Sequence, residues 1–114
     1  MEPSAADIEK VKAAFPNREL SLFTISDDDA EHCFIVSSPS REEWRRIQDE
    51  MMGAKDDVIR AQAAIERAAL EQVRWPDRAA VKDLFDRKPG YIADFMPELS
   101  RLMGNNAKAT SKKL

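Results

Sequence analysis

Pro76, inside the stretch LEQVRWPDRAAVKDLFDRKPG that runs from residue 70 to residue 90, is the residue that most constrains this chain. It has no backbone N–H and biases Trp75 away from the α region, so the two apolar-periodic segments flanking it cannot form one helix. The spacing predicts a long helix from about Lys55 to Arg74, ending near Trp75, and then a second helix that presents Val81, Leu84 and Phe85 on one face. Asp77 stands where it can cap that second helix or supply a first-turn acid at the positive end of its dipole. A large amphipathic ring covers such a junction well, so Trp75 is expected to fix the angle between the helices. Pro89 and Gly90 close the segment. The same aromatic-Pro-Asx-Arg step occurs from Phe15 to Arg18, but strand-like sequence follows it, which makes it reused corner chemistry and not an internal repeat.

The remaining elements read in order. Ser4 with Asp7 forms a capping box, and Ala5, Ile8, Val11 and Phe15 recur at helical spacing until Pro16 stops the run. ELSLFTIS and HCFIVSS then flank the acidic DDDAE, a pattern for a hairpin over residues 20–26 and 32–37. Pro39 ends the second strand, and Ser40 with Glu43 launches a helix carrying Trp44, Ile47 and Met51 on one face, with Arg41, Glu42, Arg45 and Arg46 outward. After Gly53, the long helix gathers Val58, Ala61, Ile65, Ala68, Ala69 and Val73 on a broad face that Ile59, Ala63 and Leu70 widen. The last helical segment holds Ile92, Phe95, Met96, Leu99, Leu102 and Met103, with Pro97 either kinking it or opening a fresh helix, and Gly104 terminating it. The expected fold is α+β and mainly helical, one antiparallel two-stranded ribbon packed with four or more helices. Residues 1–104 form a single domain, and residues 105–114, without apolar periodicity, a flexible C-terminal tail.

Composition removes several function classes. The 114 residues carry 18 positive and 21 negative side chains, a net charge of -3, so no global field attracts a nucleic-acid backbone or an anionic membrane. The charged N-terminal stretch MEPSAADIEK lacks the apolar run of a signal peptide, and no segment has the apolar length of a transmembrane helix. A soluble cytoplasmic protein is expected. Cys33 is the only cysteine, which excludes an internal disulfide.

Chemical motifs are sparse. Asp27, Asp28, Asp29 and Glu31 beside His32 lack the alternating ligands, central Gly and terminal Glu of an EF-hand loop, and read as a solvated hairpin tip. His32 and Cys33 are adjacent in a strand and point to opposite faces, which prevents a nucleophile-base pair. No P-loop, dinucleotide fingerprint, nucleophile elbow or zinc spacing occurs. The 21 acids contain many carboxylate pairs, but no spacing singles one out. The expectation is a non-catalytic chain with no cofactor and no metal. Arg41, Arg45 and Arg46 alternate with Glu42, Glu43, Asp49 and Glu50, the pattern of a mixed-charge solvated face rather than a phosphate-binding surface. Met96 and Met103 lie on the Pro-interrupted terminal helix, which is the least enclosed, so Phe95, Met96, Leu99, Leu102 and Met103 are the candidate partner-binding residues. A lone ribbon has open edges, which favours a homo-oligomer.

The stretches FIVSSPSREEWRRIQDEM and VRWPDRAAVKDLFDRKPG, in this order, resemble the small tail assembly chaperones of long-tailed bacteriophages. The shared elements are a strand ending in an apolar triplet at Phe34 to Val36, the Pro-Ser-Arg-x-Glu-aromatic-Arg run at Pro39 to Arg46, and the aromatic-Pro-Asp step with its closing helix from Trp75 to Gly90. The match covers residues 18 to 104, with the helix from Ser4 to Phe15 outside it. The resemblance implies a protein that coats the tape measure protein before tail tube polymerisation, acts in the cytoplasm of the bacterial host and is absent from the mature virion. It further implies a longer product made by frameshifting near Lys112-Lys113, through which major tail protein would be recruited. An ordinary solubilising lysine tail accounts for those residues equally well. The main alternative is a small helical regulator or adaptor that binds protein or DNA, although Arg78, Lys82, Arg87 and Lys88 are balanced by Asp77, Asp83 and Asp86, a poor composition for a recognition helix. A gene position between a major tail protein and a tape-measure gene would separate the two readings.

Overall fold

The computed structural model describes residues 2–28, 30–105 and 107–113. Among them the chain forms five α-helices, one 3-10 helix and a three-stranded antiparallel sheet. Helix α1 (Ala5–Ala14) precedes strands β1 (Leu20–Ser26) and β2 (Glu31–Ser37), followed by α2 (Arg41–Gly53), α3 (Val58–Gln72), β3 (Val73–Trp75) and α4 (Arg78–Arg87). A 3-10 helix, Pro89–Asp94, leads into α5 (Phe95–Leu102).

The helix starts are where side-chain oxygens can take up free backbone donors. Ser4 and Ser40 each form a reciprocal capping box, with Asp7 and Glu43 as the returning acids. Asp57 and Asp77 accept from the backbone N–H groups of Arg60 and Ala80 and so cap α3 and α4. Pro97 falls in the first turn of α5, where its missing donor costs nothing. Gly104, at φ +89°, ends that helix: Asn105 N–H reaches the Ser100 carbonyl and Gly104 N–H the Arg101 carbonyl, the paired bonds of a Schellman motif.

The sheet order is β1-β2-β3. β1 and β2 pair in unbroken register from Leu20 opposite Ser37 to Ser26 opposite Glu31, and Asp27 closes the hairpin through bonds to Ala30. The third strand corrects the expectation of a two-stranded ribbon. Pro76 holds Trp75 extended, but Val73 and Arg74 leave the helix as well, and Val73 and Trp75 pair with Val36 and Ile35 across a bulge. The long helix consequently starts later and stops earlier than its periodicity suggests, at Val58 and Gln72. The Trp75-Pro76 peptide bond is cis, and Trp75 is half-buried at the corner into α4.

With β3 and β1 on its two sides and packing on both faces, β2 is buried from Cys33 to Ser37. Phe23, Ile25, Phe34, Val36 and Val73 supply the core face, against Ala68, Ala69, Val81, Phe85, Ile92, Phe95 and Leu99. Phe95 sits at the middle of this core with its ring edge-on to Phe23, Phe34 and Phe85 at centroid distances of 5.1, 5.1 and 5.5 Å. On the other face, Ile8 and Lys12 of α1 border Leu20, Leu22 and Ile35. Residues 107–113 are exposed and adopt no regular secondary structure, while the tail positions Asn106 and Leu114 lie outside the described residues.

Candidate functional site

Each residue group singled out from sequence now has a place. Helix α5 turns Phe95, Leu99 and Leu102 into the core, the first two fully buried. That corrects the reading of Phe95, Leu99 and Leu102 as partner-binding surface, because a helix following Pro89 and Gly90 folds back on the sheet instead of projecting from it. Only Met96 and Met103 of the five candidates remain half-exposed. The hairpin acids separate too. Asp27 accepts from the Tyr91 hydroxyl and pairs with Lys88 Nζ at 3.5 Å, so it ties the hairpin to the 3-10 helix, and Asp28 is exposed. Asp29 of that cluster lies outside the described residues. No group of three His, Cys, Asp or Glu side chains able to hold a metal ion occurs among the described residues. Cys33 is buried with its sulfur 3.5 Å from Thr24 Oγ1, whereas His32 faces the Tyr91 ring at 5.6 Å, so the adjacent side chains take different neighbours.

The polar centre of the fold lies where the end of β2, the start of α2 and the end of α3 converge. Arg18 donates from Nη1 to the Ser38 carbonyl at 3.0 Å and to Glu43 Oε1 at 2.8 Å. Ser37 and Gln72 are fully buried, the Ser37 hydroxyl donating to Gln72 Oε1 at 2.8 Å and accepting from Arg74 Nε at 3.0 Å. Gln72 Nε2 is buried and lies within hydrogen-bond geometry of no polar atom among the described residues. Burial pushes the Glu43 carboxyl up, but the Ser40 backbone N–H and the Arg18 guanidinium outweigh it and hold the group at about 2. Burial and the nearby Arg18 charge lower Arg74, whose guanidinium lies 4.0 Å from the centre of the Phe15 ring. The cluster ties β2, α2, α3 and β3 together, with Arg18 reaching in from just before β1.

The surface that sequence reasoning missed is the α2–α3 corner. α2 and α3 run antiparallel, cross-linked by Arg46–Glu71 and by Arg67–Glu50 at 2.8 Å. Burial along α3 begins only at Ala61 and Ala64, so the apolar face of this helix extends past the core that covers it. Val58 and Ile59, in its first turn, are 80% and 82% exposed, and Met52 at the end of α2 is 72% exposed. Below the corner, Ile59 and Ala63 join Phe85, Pro89 and Ile92 in an open groove of about 360 Å³ with Glu66 and Asp86 among its lining residues. The sequence did hold a signal: the Lys55-Asp56-Asp57 run and the Asp57 cap put Val58 and Ile59, two adjacent branched apolar residues, at the solvated start of the helix.

Away from this corner, Leu22 on the edge strand β1 is also exposed, at 59%. No helix among the described residues is long and apolar enough to cross a membrane. Comparison with known proteins finds no matching family, no matching curated protein and no matching solved structure.

Proposed function

We propose that the chain is a non-catalytic tail assembly chaperone of a long-tailed phage, which binds the tape measure protein in the host cytoplasm and is left out of the mature virion. The observation that carries the protein-binding part is the overhanging apolar face at Met52, Val58 and Ile59. Adjacent exposed apolar side chains above an apolar groove suit one face of an amphipathic helix, and Glu66 and Asp86 favour a helix with basic flanking residues. A tape measure protein is long and largely helical, and its unassembled helices need their apolar faces covered. The sequence resemblance at Pro39 to Arg46 and Trp75 to Gly90 supplies the phage context. In this reading, recruitment of major tail protein belongs to a longer frameshifted form extending from the C-terminal lysines.

The regulator reading has weaker support. At the end of α4, Arg87 pairs with Asp83 at 3.2 Å, and Lys88, just past the helix, pairs with Asp27, which leaves little concentrated positive charge for a phosphate backbone. Co-expression with tape measure protein tests the proposal. The wild-type chain should keep tape measure protein soluble and co-purify with it, and Val58→Asp with Ile59→Asp should abolish both effects while the fold is retained. Unchanged co-purification by the double variant would overturn the assignment of this surface.

A further inference from the structure

The two edges of the sheet are built differently. β3 is three residues long, carries Arg74, pairs across a bulge and is followed by Pro76, all devices that discourage a further strand. β1 has none of them. Its seven residues from Leu20 to Ser26 include no charge and no proline, and its register with β2 is unbroken. At Glu19, just before the strand, both backbone groups turn towards β2: the carbonyl accepts from Ser38 N–H at 2.8 Å, and the N–H donates to Ser38 Oγ at 3.1 Å. Backbone direction alternates along a strand, so the amides and carbonyls of Leu20, Leu22, Thr24 and Ser26 point to the open side.

We propose that β1 pairs antiparallel with β1 of a second copy about a two-fold axis through Leu22, giving one sheet continuous across both copies. Only even-numbered residues offer outward backbone groups, which restricts the register to a few choices. Centring on Phe23 places Glu19 opposite Asp27 twice by symmetry, a like-charge contact. Centring on Thr24 sets Leu20 opposite Asp28, and centring on Ser21 overlaps only Leu20 to Leu22. Centring on Leu22 avoids these faults. Leu22 then opposes Leu22 of the partner copy, Leu20 opposes Thr24 and Ser21 opposes Phe23, and the outward pairs each exchange both backbone hydrogen bonds. The exposed Leu22 side chain gains its own twin as cover on the α1 side of the sheet, next to Ile8 and Leu20. This interface is separate from the α2–α3 corner and does not depend on the tape-measure reading.

Sedimentation velocity on the chain alone tests it, using wild type, Leu22→Lys, Leu22→Glu and an equimolar mixture of the two variants. Leu22 is exposed, so both variants should fold. The wild type should dimerise in the micromolar to millimolar range. Each charged variant should need at least about tenfold higher concentration to do so, and the mixture should recover the dimer, because position 22 faces itself. A wild type monomeric throughout the range, a variant that associates like wild type, or a mixture that fails to recover would each overturn the proposal. Amide hydrogen exchange on the wild type gives an independent reading. Protection at Leu20, Leu22 and Thr24 should rise with protein concentration, whereas concentration-independent exchange, or protection gained only when a tape-measure segment is added, would overturn a second copy as the occupant.

Discussion

Arg18 and Glu43, 25 residues apart in sequence, meet at 2.8 Å and join the start of β1 to the first turn of α2. The pair is about three-quarters buried and shares Arg18 with the Ser38 carbonyl, so it closes the end of the sheet against the helices. Because Glu43 Oε1 also accepts from the Ser40 N–H at 2.8 Å, one carboxylate caps α2 and anchors β1.

Stability should therefore fall in acid over a defined window. The folded-state pKa of Glu43, about 2, lies below its ordinary value of 4.5, so the unfolded chain binds this proton more readily. The contribution is fully present above pH 4.5 and is lost as pH falls through about 2. Glu43→Gln keeps a capping-box side chain but removes the charge, and it should cost on the order of 2 kcal/mol at pH 7 while flattening the acid limb. Urea unfolding at pH 7, 4.5 and 3 checks this, and an unchanged pH slope in the variant would show that other carboxyls set the acid limb.

Phe95→Ala should act on folding rather than on binding. Phe95 is fully buried among Phe23, Phe34 and Phe85, and its truncation should cost roughly 3–5 kcal/mol. Met103→Ala, at a half-exposed position, should cost less than about 1 kcal/mol. Comparable losses for the two would contradict the inward orientation of α5.

Cys33 is predicted to act as a packed hydrophobe. Cys33→Ala should destabilise the protein by about 1 kcal/mol through lost packing and the weak contact with Thr24, and should leave partner binding unchanged. Adding a chelator should not alter thermal unfolding. A melting temperature lowered by chelation, or binding lost in a folded Cys33 variant, would reveal a site at this residue.

Much of the architecture was legible because it depends on local chemistry. Ser4, Ser40 and Asp77 announce helix starts through the hydrogen bonds their short side chains make, and Pro76 announces a break whatever surrounds it. What was missed depends on tertiary neighbours. The helical wheel placed Val58 with Ala68 on one face, correctly as geometry, but no sequence pattern states that the core stops at Ala61 and Ala64. Val73 continued the periodicity of α3 yet left it, since pairing with Val36 satisfies its backbone while its side chain stays in the core. The Pro-interrupted α5 looked peripheral from its sequence, and only its return onto Phe23 and Phe34 makes it central. Gln72 and Ser37, the buried polar pair, bring together residues 35 apart that no local motif connects.

Calorimetric titration of an amphipathic helical tape-measure segment into the wild-type chain and into Val58→Asp/Ile59→Asp tests the central claim most directly. Both side chains are more than three-quarters exposed, so the double variant should unfold within about 0.5 kcal/mol of wild type per substitution. The account predicts saturable binding to wild type with a negative heat-capacity change, the mark of buried apolar surface, and at least about tenfold weaker binding to the folded variant. Binding of equal affinity to both proteins, or none to wild type, would contradict it.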